Sequence, residues 1–224
     1  MNQAPAITVS KLPDTRAAEI ARGMAVKRRN AVTALLTGGT LAFLAARMDG
    51  FEALGSSLLV GLPVGLLYAN AYEYALHRFL LHWGNGFLVQ RHALHHNSTG
   101  APEEPRYVNF ATAPLVVVGL FVANAAPFFA LDRFLHAELA SGALVAFTIY
   151  YLLYEEVHWR FHLGGWLPHW MRRARQHHLL HHGDFEGRYN VFLPLCDWIF
   201  HRRDWKRGAP LSHERNFPTK RISR

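Results

Sequence analysis

The stretch "HRFLLHWGNGFLVQRHALHH", residues 77–96, follows a long apolar run and holds five histidines. A second stretch, "RQHHLLHHGDFEG", residues 175–187, holds four histidines within six positions. Between them, "EEVHWRFH", residues 155–162, adds two more. Imidazole is the commonest protein ligand of transition metals. If these three distant segments bind one metal site, the fold must bring them together.

Four apolar runs alternate with the histidine segments, at roughly 31–46, 51–72, 108–131 and 139–154. A bilayer core is crossed by about 20 helical residues, within a range of about 17–25. The second and third runs reach that length. The first and fourth are shorter and would span the bilayer only together with the residues that flank them. Each run is apolar around its whole circumference, which argues against a soluble helical protein. We therefore expect an all-α, integral membrane four-helix bundle with a histidine-rich helical cap.

Charge predicts the orientation of these spans. The formal net charge is +8, and twelve Lys or Arg lie between residues 172 and 224. The positive-inside rule then places both termini in the cytoplasm, together with residues 83–106. All histidine segments would lie on that side, so we expect a cytoplasmic metal site. The basic residues before the first run are Lys11, Arg16, Arg22, Lys27, Arg28 and Arg29.

Composition also limits the class of protein. Basic residues flank apolar runs and do not line one helix, so a nucleic-acid partner is not expected. The single Cys196 excludes an internal disulfide and any Cys-rich metal site. We expect a basic cytoplasmic N-terminal segment, 1–29, a four-span domain with the metal site, 30–205, and a basic tail, 206–224.

The histidine spacings fit helices. Two motifs follow an i, i+3, i+4 pattern and a third follows i, i+4, so each presents its rings on one helical face. His77 and His82 differ, because i and i+5 lie about 140° apart on an ideal helix. The helix must distort near His82, or the two rings approach the site from different sides. The predicted metal ligands are His77, His82, His92, His95, His96, His158, His162, His178, His181 and His182.

Ten imidazoles exceed the four ligands of a structural zinc site and suffice for two ions. Two irons with open positions for oxygen fit this number, and so do two zincs with a hydrolytic water. His177 has no assigned role. Nearby carboxylates would orient the ring N–H groups. We expect this role, close to the catalytic centre, from Glu73, Glu155 and Asp184, with Asp197 as a further candidate.

Over about residues 70–200 the chain resembles the membrane fatty acid hydroxylase / sterol desaturase superfamily. The resemblance is carried by the order of the histidine motifs, by "EYALHRFLLH" and by "HHLLHHGDFEGRYNVFLPLCDWIFH". It implies a four-helix membrane enzyme with a cytoplasmic dimetal centre that uses dioxygen to hydroxylate or desaturate a lipid chain. Residues that could line a substrate path are Tyr74, Tyr150, Tyr151, Tyr154 and Trp159.

The resemblance further implies two iron ions, which zinc can replace in purified protein, and dioxygen as co-substrate. No fused haem domain is evident, so electrons would come from a separate ferredoxin or b-type cytochrome with its reductase. Three alternatives use the same site: a sterol, a carotenoid or an amino-lipid hydroxylase. A non-catalytic membrane protein that binds or transports metal is the alternative from another class. Transporters place ionisable groups at mid-membrane, however, and these apolar runs contain no histidine.

Overall fold

The protein is described here by a computed structural model covering residues 12–184 and 187–200. This part of the chain is helical and contains no strand, so the all-α prediction is confirmed. A 3₁₀ turn, Phe51–Ala53, precedes α2, and a π-helical segment, Leu76–His82, follows it. The α-helices are α1 (Leu12–Asp49), α2 (Leu54–Ala75), α3 (Phe87–Ser98), α4 (Glu104–Tyr107), α5 (Pro114–Leu135), α6 (Ala140–Leu163), α7 (Met171–Asp184) and α8 (Leu195–Phe200).

Three helical stretches are long and apolar enough to cross a membrane: Thr15–Asp49, Phe51–His82 and Pro114–Leu135. They indicate a membrane protein. Helix α6, which contains the fourth predicted run, is not among these three, so the four-span bundle stays a prediction. The third span begins at Pro114, later than predicted, because proline favours the first turn of a helix.

Helix α1 runs without a break across the expected boundary between residues 29 and 30. Its N-terminal half packs on the loop that precedes α5. Arg16 Nη1 donates a hydrogen bond to Ala101 O at 2.9 Å, and Asn109 Nδ2 donates to Gly23 O at 2.9 Å. These contacts fix the segment that follows α3. Helix α3 itself carries three histidines. The predicted tail, 206–224, lies outside the described residues.

Helices α2 and α6 approach each other closely through small residues. Ser57 Oγ and Ser141 Oγ share a buried hydrogen bond of 2.6 Å. At Gly65 an added Cβ would lie 2.5 Å from Ala143 O and 2.6 Å from Ala143 Cα. Those neighbours are backbone atoms, which cannot move aside as a flexible side chain can. The contact sets the spacing of the two helices that bring His77 and His158 together.

Gly65→Ala is therefore expected to destabilise the protein by roughly 1–3 kcal/mol, the usual cost of overpacking. The measurement is the thermal unfolding midpoint in one detergent. Gly119→Ala in α5 is the matched control, because a Cβ there meets nothing within 4 Å and alanine favours a helix. Equal midpoints for Gly65→Ala and wild type would show that the two helices do not pack this closely.

The π-helical segment answers the question raised by the i, i+5 spacing. Its hydrogen bonds run from residue i to residue i+5, so one turn takes up an additional residue. His77 and His82 consequently return to the same face. Of the two alternatives, approach from different sides or a distorted helix near His82, the structure shows the second. Both rings reach one group from one element.

Candidate metal centre

The ten predicted histidines converge into two groups of five. Within each group the candidate ligand atoms all lie within 4.8 Å of one another. The first group consists of His77, His82, His92, His96 and His181. The second group consists of His95, His158, His162, His178 and His182.

Helices α3 and α7 each contribute two histidines to one group and one histidine to the other. On α3, His92 and His96 belong to the first group and His95 to the second. On α7, His178 and His182 belong to the second group and His181 to the first. The i, i+4 pair thus serves one group while the histidine between them serves the other. This explains why the three-histidine motif occurs twice.

In both groups the Nε2 atoms face one another. In the first, His92 Nε2 lies 3.0 Å from both His77 Nε2 and His82 Nε2, and 2.9 Å from His96 Nε2. His181 Nε2 lies 3.0 Å from His82 Nε2 and 3.1 Å from His77 Nε2. Such a ring of nitrogens leaves a small common centre.

The second group has the same arrangement. His178 Nε2 lies 2.8 Å from His162 Nε2 and 3.2 Å from His182 Nε2, and the two Nε2 atoms of His95 and His158 are 3.2 Å apart. Ligands bound at about 2.0–2.1 Å and at right angles lie about 3.0 Å apart. Both sets of distances therefore fit imidazoles around a metal ion.

Hydrogen bonds behind the rings support this assignment. His77 Nδ1 lies 2.5 Å from Tyr189 O, and His181 Nδ1 lies 2.8 Å from Gly187 O. A carbonyl oxygen only accepts, so each Nδ1 carries the proton and donates it. Each Nε2 then has a free lone pair that points at the common centre. The residues fit a metal because two such lone pairs repel unless a cation lies between them.

In the second group, two Nδ1 atoms contact side-chain oxygens and not backbone carbonyls. His162 Nδ1 lies 3.0 Å from Glu104 Oε1, and His182 Nδ1 lies 2.9 Å from Thr99 Oγ1. Glu104 is buried, with 3% of its surface exposed, and its other oxygen lies 3.6 Å from Arg16 Nη2. The second group thus has an anionic partner, whereas the two partners of the first are neutral carbonyls.

Burial lowers the pKa of His92, His95, His178 and His182 well below the ordinary value of 6.5, and neighbouring histidines lower it further. These four rings are therefore neutral near pH 7. Neutral imidazole is the form that binds a metal.

These lowered values predict the effect of pH. In the unfolded chain His92, His95, His178 and His182 bind protons below about pH 6.5, whereas in the folded chain they do so only at much lower pH. Their contribution to stability is complete above pH 6.5 and is lost as the pH falls. Acidification from pH 7.5 to 5 is thus expected to release metal and lower the unfolding midpoint. Constant metal content and midpoint over this range would contradict the prediction.

Two of the three predicted carboxylates, Glu73 and Glu155, have hydrogen-bond partners in the structure. Glu73 is buried and accepts hydrogen bonds from Tyr150 Oη and from Val191 N, the latter at 2.5 Å. Glu155 Oε1 accepts a hydrogen bond from Phe110 N at 2.9 Å. None of these three hydrogen bonds involves a histidine of the two groups. The side chain of Asp184 lies outside the described residues, so the roles of these three acids stay predictions.

Glu104, Thr99 and the carbonyl oxygens of Gly187 and Tyr189 were not predicted from the sequence. Glu104 shares the segment "PEEPRY" with Glu103 and has no helical spacing to any histidine. A carbonyl partner has no side-chain signature at all. Only the fold identifies the groups that orient these rings.

His177 belongs to neither group, and its Nε2 lies 3.1 Å from Asp197 Oδ2. Asp197 also accepts hydrogen bonds from Tyr189 N at 2.9 Å and from Asn190 N at 2.7 Å. These bonds hold the irregular stretch 187–192, whose carbonyls contact His77 and His181. Asp197 therefore supports the centre from a distance.

An apolar cavity lies between α2, α5 and α6 and reaches His77. Tyr150, Tyr151 and Tyr154 line it, as predicted, whereas Tyr74 and Trp159 are not among its lining residues. A second cavity is lined by histidines of both groups. The two cavities share four lining residues, namely His77, Leu81, Phe110 and Tyr154.

In this helical protein, two histidine groups that could hold metal ions thus lie beside adjoining cavities. The family model for fatty acid hydroxylase matches residues 62–202, and the chain belongs to this family. The resemblance inferred from the histidine motifs is confirmed.

Among individual relatives, fatty acid 2-hydroxylase of Rattus norvegicus is 29% identical over 156 residues, which cover 65% of this chain and 40% of that protein. Very-long-chain aldehyde decarbonylase GL1-5 of Oryza sativa subsp. indica is 27% identical over 227 residues, covering 88% of this chain and 34% of that protein. The chain thus spans 40% or less of the length of these relatives.

The solved structure of full-length scs7p, of which only the hydroxylase domain is visible, has a similar fold. The TM-score is 0.51 at 23% identity, and the likeness covers 75% of this chain and 65% of that one. At this identity the comparison supports the fold and says nothing about the reaction.

Proposed function

We propose that the protein is a membrane-bound di-iron oxygenase that hydroxylates or desaturates a lipid acyl chain. It would use dioxygen and electrons from a separate ferredoxin or b-type cytochrome with its reductase. The observation that carries the proposal is a cavity lined by histidines of both five-histidine groups, which adjoins an apolar cavity at His77 and Tyr154. Each group would offer one ion five imidazole nitrogens, a set of ligands that suits iron.

The two groups would each hold one iron ion, and the pair would supply the activation of dioxygen and the oxidation of an unactivated C–H bond. Zinc suits the same imidazoles, so purified protein can carry zinc instead. The carbonyls of Tyr189 and Gly187 keep His77 and His181 in the tautomer that binds metal.

Other side chains would position the lipid. The apolar cavity is lined by Leu76, Leu120 and Phe147, which offer an acyl chain a surface without hydrogen-bonding groups. Tyr154 lines both cavities, and its ring centroid lies 5.5 Å from that of His158. A chain lying along these residues would pass from the membrane-spanning helices to the histidines while excluding water.

We also propose the orientation predicted from charge, with both termini and the metal centre in the cytoplasm and α6 as the fourth span. The support is the excess of Lys and Arg outside the apolar runs. In this orientation, soluble electron donors of the cytoplasm would reach the centre directly.

The test combines metal analysis with lipid mass spectrometry. Cells supplied with iron express the wild type, His95→Ala or His181→Ala, and the purified proteins are analysed for metal. The proposal expects about two irons per chain and a lipid that gains one oxygen or one double bond only with the wild type. Stoichiometric zinc with unchanged lipids, despite iron and reductant, would favour a non-catalytic metal-binding protein.

The same lipid analysis distinguishes the remaining alternatives. An oxidised sterol, carotenoid or amino-lipid would keep the metal centre and change the substrate. A hydrocarbon one carbon shorter than a cellular aldehyde would instead indicate a reaction like that of the decarbonylase relative.

A further inference from the structure

A cationic side chain, Arg91, lines the cavity that holds histidines of both groups. It lies on α3 directly before His92 and one helical turn before His95. Its guanidinium is partly buried and lies over the Tyr107 ring, with Cζ 4.9 Å from the ring centroid. The cavity therefore carries a positive charge beside histidines of both groups.

Arg91 has no carboxylate partner among the ion pairs of residues 12–184 and 187–200. Its one hydrogen bond there goes from Nη2 to the carbonyl oxygen of Arg106, at 2.9 Å. Nε is buried and has no hydrogen-bond partner. A partly buried cation without an anion is costly, because desolvation is not repaid by an opposite charge.

From this geometry we infer that Arg91 binds the anionic head of the substrate, a carboxylate or a phosphate ester on a long alkyl chain. The inference rests on the proposed function and deepens it. Guanidinium donates paired hydrogen bonds to such groups, and Nε together with one Nη forms the usual binding edge. The head would lie beside the histidines, with the alkyl chain in the apolar cavity.

This placement determines which carbons meet the metal centre. Both cavities include His77 and Tyr154, so a chain leaving Arg91 passes the histidines before it enters the apolar cavity. The carbons nearest the anionic head are the ones presented for oxidation. The far end of the chain lies between α2, α5 and α6, away from both histidine groups.

The test measures binding without turnover. Metal-loaded protein in detergent, without reductant, is titrated with a saturated C16 carboxylate, the C16 primary alcohol and the C16 alkyl phosphate. The wild type is expected to bind at least one anion about tenfold more tightly than the alcohol, a typical gain for a charge-assisted pair. In Arg91→Gln this preference is lost while binding of the alcohol is unchanged. Arg91→Lys retains part of it.

Arg106→Gln is the matched control. Its side chain is exposed and also lies near Tyr107, with Cζ 5.8 Å from the ring centroid, but it does not line the cavity. It should keep the full preference, and metal content is measured for every variant to exclude damage to His92. The anion bound more tightly identifies the head as carboxylate or phosphate.

Equal binding of anion and alcohol by the wild type, or an unchanged preference in Arg91→Gln, would overturn the inference. Because no oxygen is consumed, the result is independent of the proposed reaction. The protein could lack oxygenase activity and still prefer the anion to the alcohol in a way that depends on Arg91. That result would support the anion site and refute only the proposed oxygenase reaction.

Discussion

Replacing His178 with alanine is expected to abolish lipid oxidation and to remove about one of two bound ions. His178 is almost fully buried, and its Nε2 lies 2.8 Å from His162 Nε2 and 3.2 Å from His182 Nε2. The variant leaves four ligands in the second group and an empty volume at its centre. Losing even an outer partner of a ligand usually costs about 10–100-fold in affinity or activity, so loss of the ligand itself should exceed that.

The measurement is metal content per chain together with oxidised lipid per cell. His169→Ala is the control, because His169 is exposed and belongs to neither group. It should retain both ions and full activity. Two tightly bound ions with normal lipid oxidation in His178→Ala would show that the second group is not a metal site.

Glu104→Gln is expected to weaken metal binding in the second group about tenfold while the first group is unchanged. The substitution keeps an oxygen that can accept the hydrogen bond from His162 Nδ1, now 3.0 Å away, and removes the negative charge behind the ring. A carboxylate partner raises the basicity of a ligating histidine, and its loss usually costs about 10–100-fold in affinity. The conservative change places the effect at the lower end of that range.

A chelator competition that resolves two successive dissociation steps measures this effect. In the variant only the dissociation step of the second group should shift, because Glu104 contacts a histidine of that group, His162. Glu103→Gln is a close control: it is the neighbouring residue, it is exposed and it touches no histidine of either group. Equal weakening of both steps, or an unchanged titration, would contradict a specific role of Glu104 in the second group.

The helical class and the set of ten histidines could be predicted from the sequence because both depend on local spacing. An i, i+3, i+4 pattern places rings on one face of any helix, whatever surrounds it. The division into two groups could not be predicted in this way. His95 and His96 are adjacent in the chain yet belong to different groups, and that depends on where α6 and α7 lie relative to α3.

The partners behind the rings were beyond prediction for a related reason. Acidic residues near the motifs were the natural candidates, but Glu73 instead accepts hydrogen bonds from Tyr150 and Val191. Glu104 reaches His162 only because the loop after α3 folds back over the end of α6. Sequence distance, 58 positions in this case, says little about which carboxylate a ring will meet.

The π-helical segment makes the positions of two histidines depend on helix type as well as on chain length. An ordinary α-helical turn through the same residues would place His82 about 140° away from His77, so the two rings could not both reach the first group. Removing one residue between them would restore the i, i+4 spacing, which an ordinary helix already places on one face. A five-residue spacing therefore requires a π-helical turn, and a four-residue spacing requires an α-helical one. Relatives that share the two histidine groups should combine each spacing with its matching turn and should tolerate exchanges of Arg78, Phe79 or Leu80 that preserve that turn.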